Sequence, residues 1–192
     1  MFNQMNSQRP FGIYLYKKET QDRKALKDLL QLLRTNCPAK GNSFSYIEAE
    51  TSLHPHLSLW DNLQIEIGPS SLKELEHTLK PEWLALLSLL KQPHQLTQES
   101  QTWEKFMTSL LKGLMNPSQN LLIDMNEDLF SPFMLQSFKK SVMESTKDKT
   151  IYLATNHPSL WLDCAHTLVD RKGYAFNIQP LDQETVKKHW VA

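Results

Sequence analysis

Residues 120–128, NLLIDMNED, decide how this chain folds. Leu121, Leu122 and Ile123 run without a polar break and end on Asp124, a continuous rather than alternating apolar strand of the kind covered on both faces. Working outward, residues 150–155, TIYLAT, have the same character. So do residues 12–16, GIYLY, where β-branched and aromatic residues cluster and charge follows at once. A fourth strand is expected over 43–48. Between strands the apolar period changes: Leu26, Leu29, Leu30 and Leu33 recur at i, i+3, i+4 and i+7, which predicts an amphipathic helix over 23–34. Ser131-Pro132 opens another that turns Leu135, Phe138 and Val142 inward. Strands alternating with helices predict an α/β fold with a mainly parallel sheet and helices on both faces.

Residues 60–115 interrupt that alternation and read as an inserted helical subdomain. Pro81 suits the first turn of a helix through WLALLSLLK that Pro93 closes off. Trp103, Phe106, Met107, Leu110, Leu111 and Leu114 form a second stripe that leads into Asn116-Pro117. The stretch TLVDRKGYAFNI, 167–178, predicts a hairpin turning at Gly173, and a short helix is expected over 182–190.

A chain of 192 residues is long enough for one domain, 1–192, with its own core. Its 21 basic and 21 acidic residues cancel, so no net field draws it to nucleic acid or anionic lipid, and a nucleic-acid-binding module is disfavoured. Cys37 and Cys164 lie far apart and form no CxxC, as expected of free thiols in a reducing cytosol. MFNQMNSQRP has no apolar core of a leader peptide, and no apolar run is long enough to span a membrane. A cytoplasmic protein is expected, membrane-associated only through a partner.

In this order the segments resemble the nucleotide-binding domain of ABC transporters, whose sheet is of the P-loop NTPase type. SYIEAETSLHPHLSLWDNLQIEIG, 45–68, resembles that family's strand, glutamine loop and following helical entry. Trp103 to Pro117 is similar to the helix after the signature loop, and NLLID, 120–124, to the Walker B strand. TIYLATNHPSLWLDCAHTL, 150–168, is similar to the switch-histidine strand with its following helix and strand, and the hairpin at Gly173 to the closing one. The resemblance spans roughly residues 11–178.

Position by position, the catalytic motifs are altered. Where the family has its phosphate loop, this chain has Lys17-Lys18-Glu19-Thr20-Gln21-Asp22-Arg23-Lys24-Ala25, with no glycine to turn successive N–H groups onto phosphate. Arg23 falls at the lysine position and keeps a positive charge; Lys24 and Ala25 replace the hydroxyl pair that would hold magnesium. Ala49 stands at the glutamine, or Glu48 or Glu50 with a one-residue shift. Trp103 replaces a signature glycine. Met125 follows Asp124 where a water-polarising glutamate would stand, and a thioether cannot accept a proton. Ser131 takes the D-loop aspartate's place and Asn156 the switch histidine's, with His157 next door. Arg23, Lys24 and Asp124 are the residual nucleotide-binding candidates. The resemblance thus implies a catalytically inactive ABC-ATPase-like scaffold or regulatory subunit with no cofactor. Its expected partners are an ABC permease or an active ABC ATPase, or a second such domain in a homo- or heterodimer. The alternative is a divergent ABC ATPase that binds ATP in a site shared with a partner.

Simpler readings stand beside these. Asp124 can serve the fold as readily as a metal. His54-Pro55-His56 lacks a third ligand nearby and reads as a polar loop. Cys164 and His166, two apart on an expected helix, point in different directions and make a poor nucleophile pair. Trp60, Trp83 and Trp161 read as core or subdomain-interface residues rather than ligand platforms. Leu53, His54, Leu59, Trp60, Leu86 and Leu87 are the partner-binding candidates, because in the family the helical subdomain bounds the groove for the permease's coupling helix.

Overall fold

The computed structural model describes residues 12–18, 23–36, 44–48, 53–67, 79–172 and 175–181. Ala49, Cys37, the turn at Gly173 and the helix expected over 182–190 lie outside them.

Six strands form one sheet: β1 (Gly12–Lys17), β2 (Phe44–Ile47), β3 (Asn120–Asp124), β4 (Thr150–Thr155), β5 (Thr167–Lys172) and β6 (Ala175–Pro180). Their spatial order is β2-β3-β4-β1-β5-β6. Every neighbouring pair is parallel except β5 and β6, which form the expected antiparallel hairpin. Asp124 lies beside Ala154, and Lys17 beside Thr155, so β3, β4 and β1 end level with one another. In open α/β sheets that carboxyl edge is where ligands bind.

Strand alternation explains why these strands read as unbroken apolar runs. Ile13, Leu15, Leu121, Ile123, Ile151 and Leu153 point to one face; Tyr14, Tyr16, Leu122, Tyr152 and Ala154 point to the other. Both faces are covered. The helix α1 (Arg23–Asn36) lays Leu26, Leu29 and Leu33 on the second face. The first face is covered by α2 (Leu59–Ile67), α3 (Pro81–Leu87), α4 (Thr102–Met115) and α5 (Pro132–Ser145). Burying one such leucine or isoleucine contributes about 1.5–3 kcal/mol.

Each start has a local cause. Ser131 caps α5 by accepting from the Met134 N–H at 3.4 Å, with Pro132 preset for the first turn. Glu104 reaches back from α4 to the Gln101 N–H at 3.1 Å. The three described helices within 59–115 share one core with the sheet: Leu59, Trp60, Leu86 and Phe106 pack in the cluster that holds Ile13, Leu121 and Ile151. Trp83 ties α3 to α5 through an Nε1–H bond to Ser145 Oγ at 3.2 Å.

Two local expectations are corrected. The helix through WLALLSLLK stops at Leu87, because Ser88 turns the chain and the Leu89 and Leu90 N–H groups bond three residues back, to Leu86 and Leu87. No helix follows β4. A short 3-10 turn, Pro158–Leu160, and a further turn lead straight to β5, so Cys164 and His166 are not on a helix.

Candidate functional site

The carboxyl ends of β1, β3 and β4 bring together groups that are far apart in sequence. Lys18 leaves β1 with its N–H donated to the Thr155 carbonyl at 2.8 Å. That anchor aims its side chain across the edge, where Nζ donates to Asp124 Oδ1 at 2.6 Å and to the Met125 carbonyl at 2.7 Å. The pair is partly buried, with side chains 15% and 21% exposed, so it is shielded from solvent more than a surface pair and less than a core one. Met125 is fully buried and its N–H donates to the Ala154 carbonyl at 2.8 Å. Its thioether lies in the core cluster on the first face of the sheet.

Behind this pair lies a second polar group. Glu127, buried, accepts at Oε1 from the Thr155 hydroxyl and from Trp161 Nε1–H, the latter at 2.8 Å. Thr155 Oγ1 in turn accepts from the His157 N–H at 2.9 Å. Glu127 Oε2 is buried with no partner among the described residues. Trp161 is braced from outside by Lys139, whose Nζ lies 5.8 Å from the ring centre. Lys139 also bonds both oxygens of Asp163, at 2.7 and 2.9 Å, and that contact lowers the Asp163 carboxyl below its ordinary range.

The other motif positions fall as follows. Asn156 is exposed. His157 is exposed beside Asp128, Nε2 to Oδ1 3.7 Å. Ser131 is a helix cap. Trp103 is half-buried, with its Nε1–H on Gln101 Oε1 at 2.5 Å, and Ser100 donates its hydroxyl to the Leu96 carbonyl at 3.0 Å. Arg23 and Lys24 open α1, and their side chains lie outside the described ones.

Of the partner-binding candidates, Leu53, Leu59, Trp60 and Leu86 are buried in the chain's own core, so the face expected of them is not a surface. Leu87 is half-buried and packs against the core; His54 is exposed. What holds the His54 loop is Asn62, fully buried. Its Nδ2, with two hydrogens, lies 3.0–3.1 Å from three acceptors, the carbonyls of His54 and Ser58 and Thr97 Oγ1, and its Oδ1 accepts from the His54 N–H. Among the described residues no three His, Cys, Asp or Glu side chains come together as a metal site. Burial pushes the Cys164 thiol up to about 11, which keeps it protonated and unreactive at neutral pH. No described helix is long and apolar enough to cross a membrane.

Sequence reading found Asp124 and Met125 but not Lys18, Glu127, Thr155 or Asn62. The one available signal for Lys18 was a cation directly after a strand that neighbours the Walker-B-like one.

No protein-family model matches the chain, and no curated protein matches it. A solved structure described as an ATP-binding subunit of an ABC transporter superimposes with a TM-score of 0.71 over 95% of this chain and 83% of that one, at 14% identity. At that identity the likeness shows the fold alone: a mainly parallel α/β sheet with helices on both faces, of the P-loop NTPase type.

Proposed function

We propose that this chain is a non-hydrolysing ABC-ATPase-like subunit, a scaffold or regulator that acts through protein contacts with an ABC permease or an active ABC ATPase and meets the membrane only through that partner. The observation that carries the reading is the Lys18 ammonium, seated on Asp124 Oδ1 at 2.6 Å and the Met125 carbonyl at 2.7 Å. A magnesium ion at this carboxylate would stand against an ammonium a few ångströms away, and like charges that close in a partly buried edge repel strongly. The lysine supplies internally the positive charge that metal and nucleotide bring in an ATPase. The residues at this edge therefore do not fit a magnesium-bound triphosphate, and the glycine-free run between Tyr16 and Leu26 supports the same reading. Contacts need anchors. Phe133 and Leu160, 69% and 41% exposed, follow β3 and β4 on the chain and offer apolar ones, as the exposed Ile65 does on the α2 side, where His54 is an exposed polar one.

Calorimetric titration of the purified protein with Mg-ATP tests the first half. No saturable binding and no phosphate release are expected; micromolar binding or turnover would refute the reading. Affinity capture in mild detergent tests the second half, with a permease or a complete ABC ATPase expected in the eluate. The partial exposure of Asp124 favours one other reading, a divergent ATPase completed by a partner. An Asp124→Ala exchange that lowered ATP turnover of the captured complex would select it.

A further inference from the structure

We propose that the cleft between β2 and α4 binds a small zwitterion of amino-acid size. The cleft has a volume of about 220 Å³. One wall is β2 and the residue after it, from Ser45 to Glu48; the other is a single stripe of α4, from Ser109 through Lys112 and Gly113 to Asn116 just past its end. The seven steps from Ser109 to Asn116 rise about 10 Å and the three from Ser45 to Glu48 about 10 Å, so the two walls match in length. Drug-sized ligands occupy about 300–1,000 Å³ and one water about 30 Å³, which excludes a nucleotide here and leaves room for a molecule of a few heavy atoms.

The walls are built for charge of both signs. Glu48 and Lys112 stand on opposite sides. At the Asn116 end the polar groups are fixed from behind: Ser45 Oγ donates to Ser118 Oγ at 3.0 Å, and Ser118 Oγ to Asn116 Oδ1 at 2.5 Å. Buried Lys149 holds the carbonyls of Asn116 and Ser118, both at 2.7 Å. With its proton committed to Ser118, the Ser45 oxygen remains an acceptor, and together with Glu48 it suits an ammonium. A carboxylate suits Lys112, whose ammonium carries three donors.

Ser109 adds a second donor. The hydroxyls of Thr108, Ser137, Ser141 and Ser145 each donate to the carbonyl one helical turn back. Ser109 does not; it is buried, lines the cleft, and its Oγ has no partner among the described residues, so its O–H is a donor not yet committed. The floor is apolar where Gly113 lets α4 meet Ile47, since a Cβ there would stand 2.6 Å from Ile47 Cδ1.

The test is amide-shift titration of the isotope-labelled full chain with L-serine and L-glutamine, and with acetate, ethylammonium and glycerol as part-molecules. Expected are saturable shifts at 45–48 and 109–116 with either amino acid, at a Kd of about 1 mM or tighter, and binding at least about fivefold weaker for each part-molecule. Ser109→Ala should keep its melting temperature and lose about fivefold in amino-acid affinity. Absence of saturable shifts with both amino acids overturns the proposal. So does equal binding of glycerol, which makes the cleft a hydration site, or a Ser109→Ala variant that melts lower and binds unchanged, which makes the hydroxyl a part of the fold.

Discussion

Replacing Lys18 with methionine keeps the stem of the side chain and removes the ammonium that bonds Asp124 Oδ1 at 2.6 Å and the Met125 carbonyl at 2.7 Å. Two limits bracket the cost: an exposed ion pair is worth about 0–1 kcal/mol, and stripping one partner from a buried pair costs about 3–5 kcal/mol. Side chains 15% and 21% exposed place this pair between them. A loss of about 2–3 kcal/mol follows, and at roughly 2–4 °C per kcal/mol for a domain of this size the melting temperature should fall by about 5–10 °C. Urea unfolding at neutral pH, with the slope checked for constancy, gives the free energy directly. The double exchange Lys18→Met with Asp124→Leu should regain part of the loss, because no carboxylate is then left without its cation. Lys18→Met should also remain unable to bind Mg-ATP, since Met125 and the glycine-free loop are unchanged. An unchanged midpoint in Lys18→Met, or single effects that simply add in the double, would show that the pair does not hold the sheet edge, and the reading of Lys18 as a built-in counter-charge would fail with it.

Three further outcomes are expected. Asn62→Ala removes a fully buried amide and leaves the His54 N–H and carbonyl, and the acceptors at Ser58 and Thr97, without it. A loss of about 3–5 kcal/mol is expected in urea unfolding, with amide exchange rising first at 54–58; a loss below about 1 kcal/mol would contradict the network. Burial holds the Lys149 ammonium below the ordinary lysine range, so between its folded value and about 10.4 the unfolded chain binds more protons and stability recovers as pH rises. The difference between the native chain and Lys149→Met should therefore shift in favour of the native chain from neutral to alkaline pH, and the opposite slope in pH-dependent urea unfolding would overturn the assignment. Cys164, with its thiol pushed up to about 11, should react with a maleimide far more slowly at pH 7 in the folded chain than in denaturant; equal rates would mean that the thiol is neither buried nor shifted.

The strands were legible because burial on both faces leaves a one-dimensional trace. Residues 120–124 and 150–155 need no knowledge of their neighbours to be read as apolar runs, and the structure has β3 and β4 at those bounds. The start of α5 was legible for a similar reason, since Ser131 and Pro132 act within one turn. The end of α3 was not. Leu89 and Leu90 continue the apolar spacing, and Leu90 is buried, although the chain has already turned at Ser88. Periodicity reports which residues face the core, not whether the backbone between them is still helical.

The same limit decides the candidate site. In sequence Asp124 stands both as a residual nucleotide-binding candidate and as a residue that can serve the fold, because a strand ending on aspartate is local information, whereas its partner lies 106 residues away and is set by β1 pairing with β4 and β4 with β3. Glu127 and Trp161 meet across 34 residues for the same reason. Among the partner-binding candidates, Leu59, Trp60 and Leu86 go in the other direction: they look like a sticky stripe in sequence and turn out to be what seats α2 and α3 on the sheet. In both cases sequence identifies side chains that need a partner and leaves open whether the partner is inside the chain or outside it. Here the fold supplies it internally, with Lys18 for the carboxylate and the sheet face for the leucines. Among the described residues, surfaces where the fold supplies no partner include Phe133, Leu160 and Ile65 and the cleft beside Ser109.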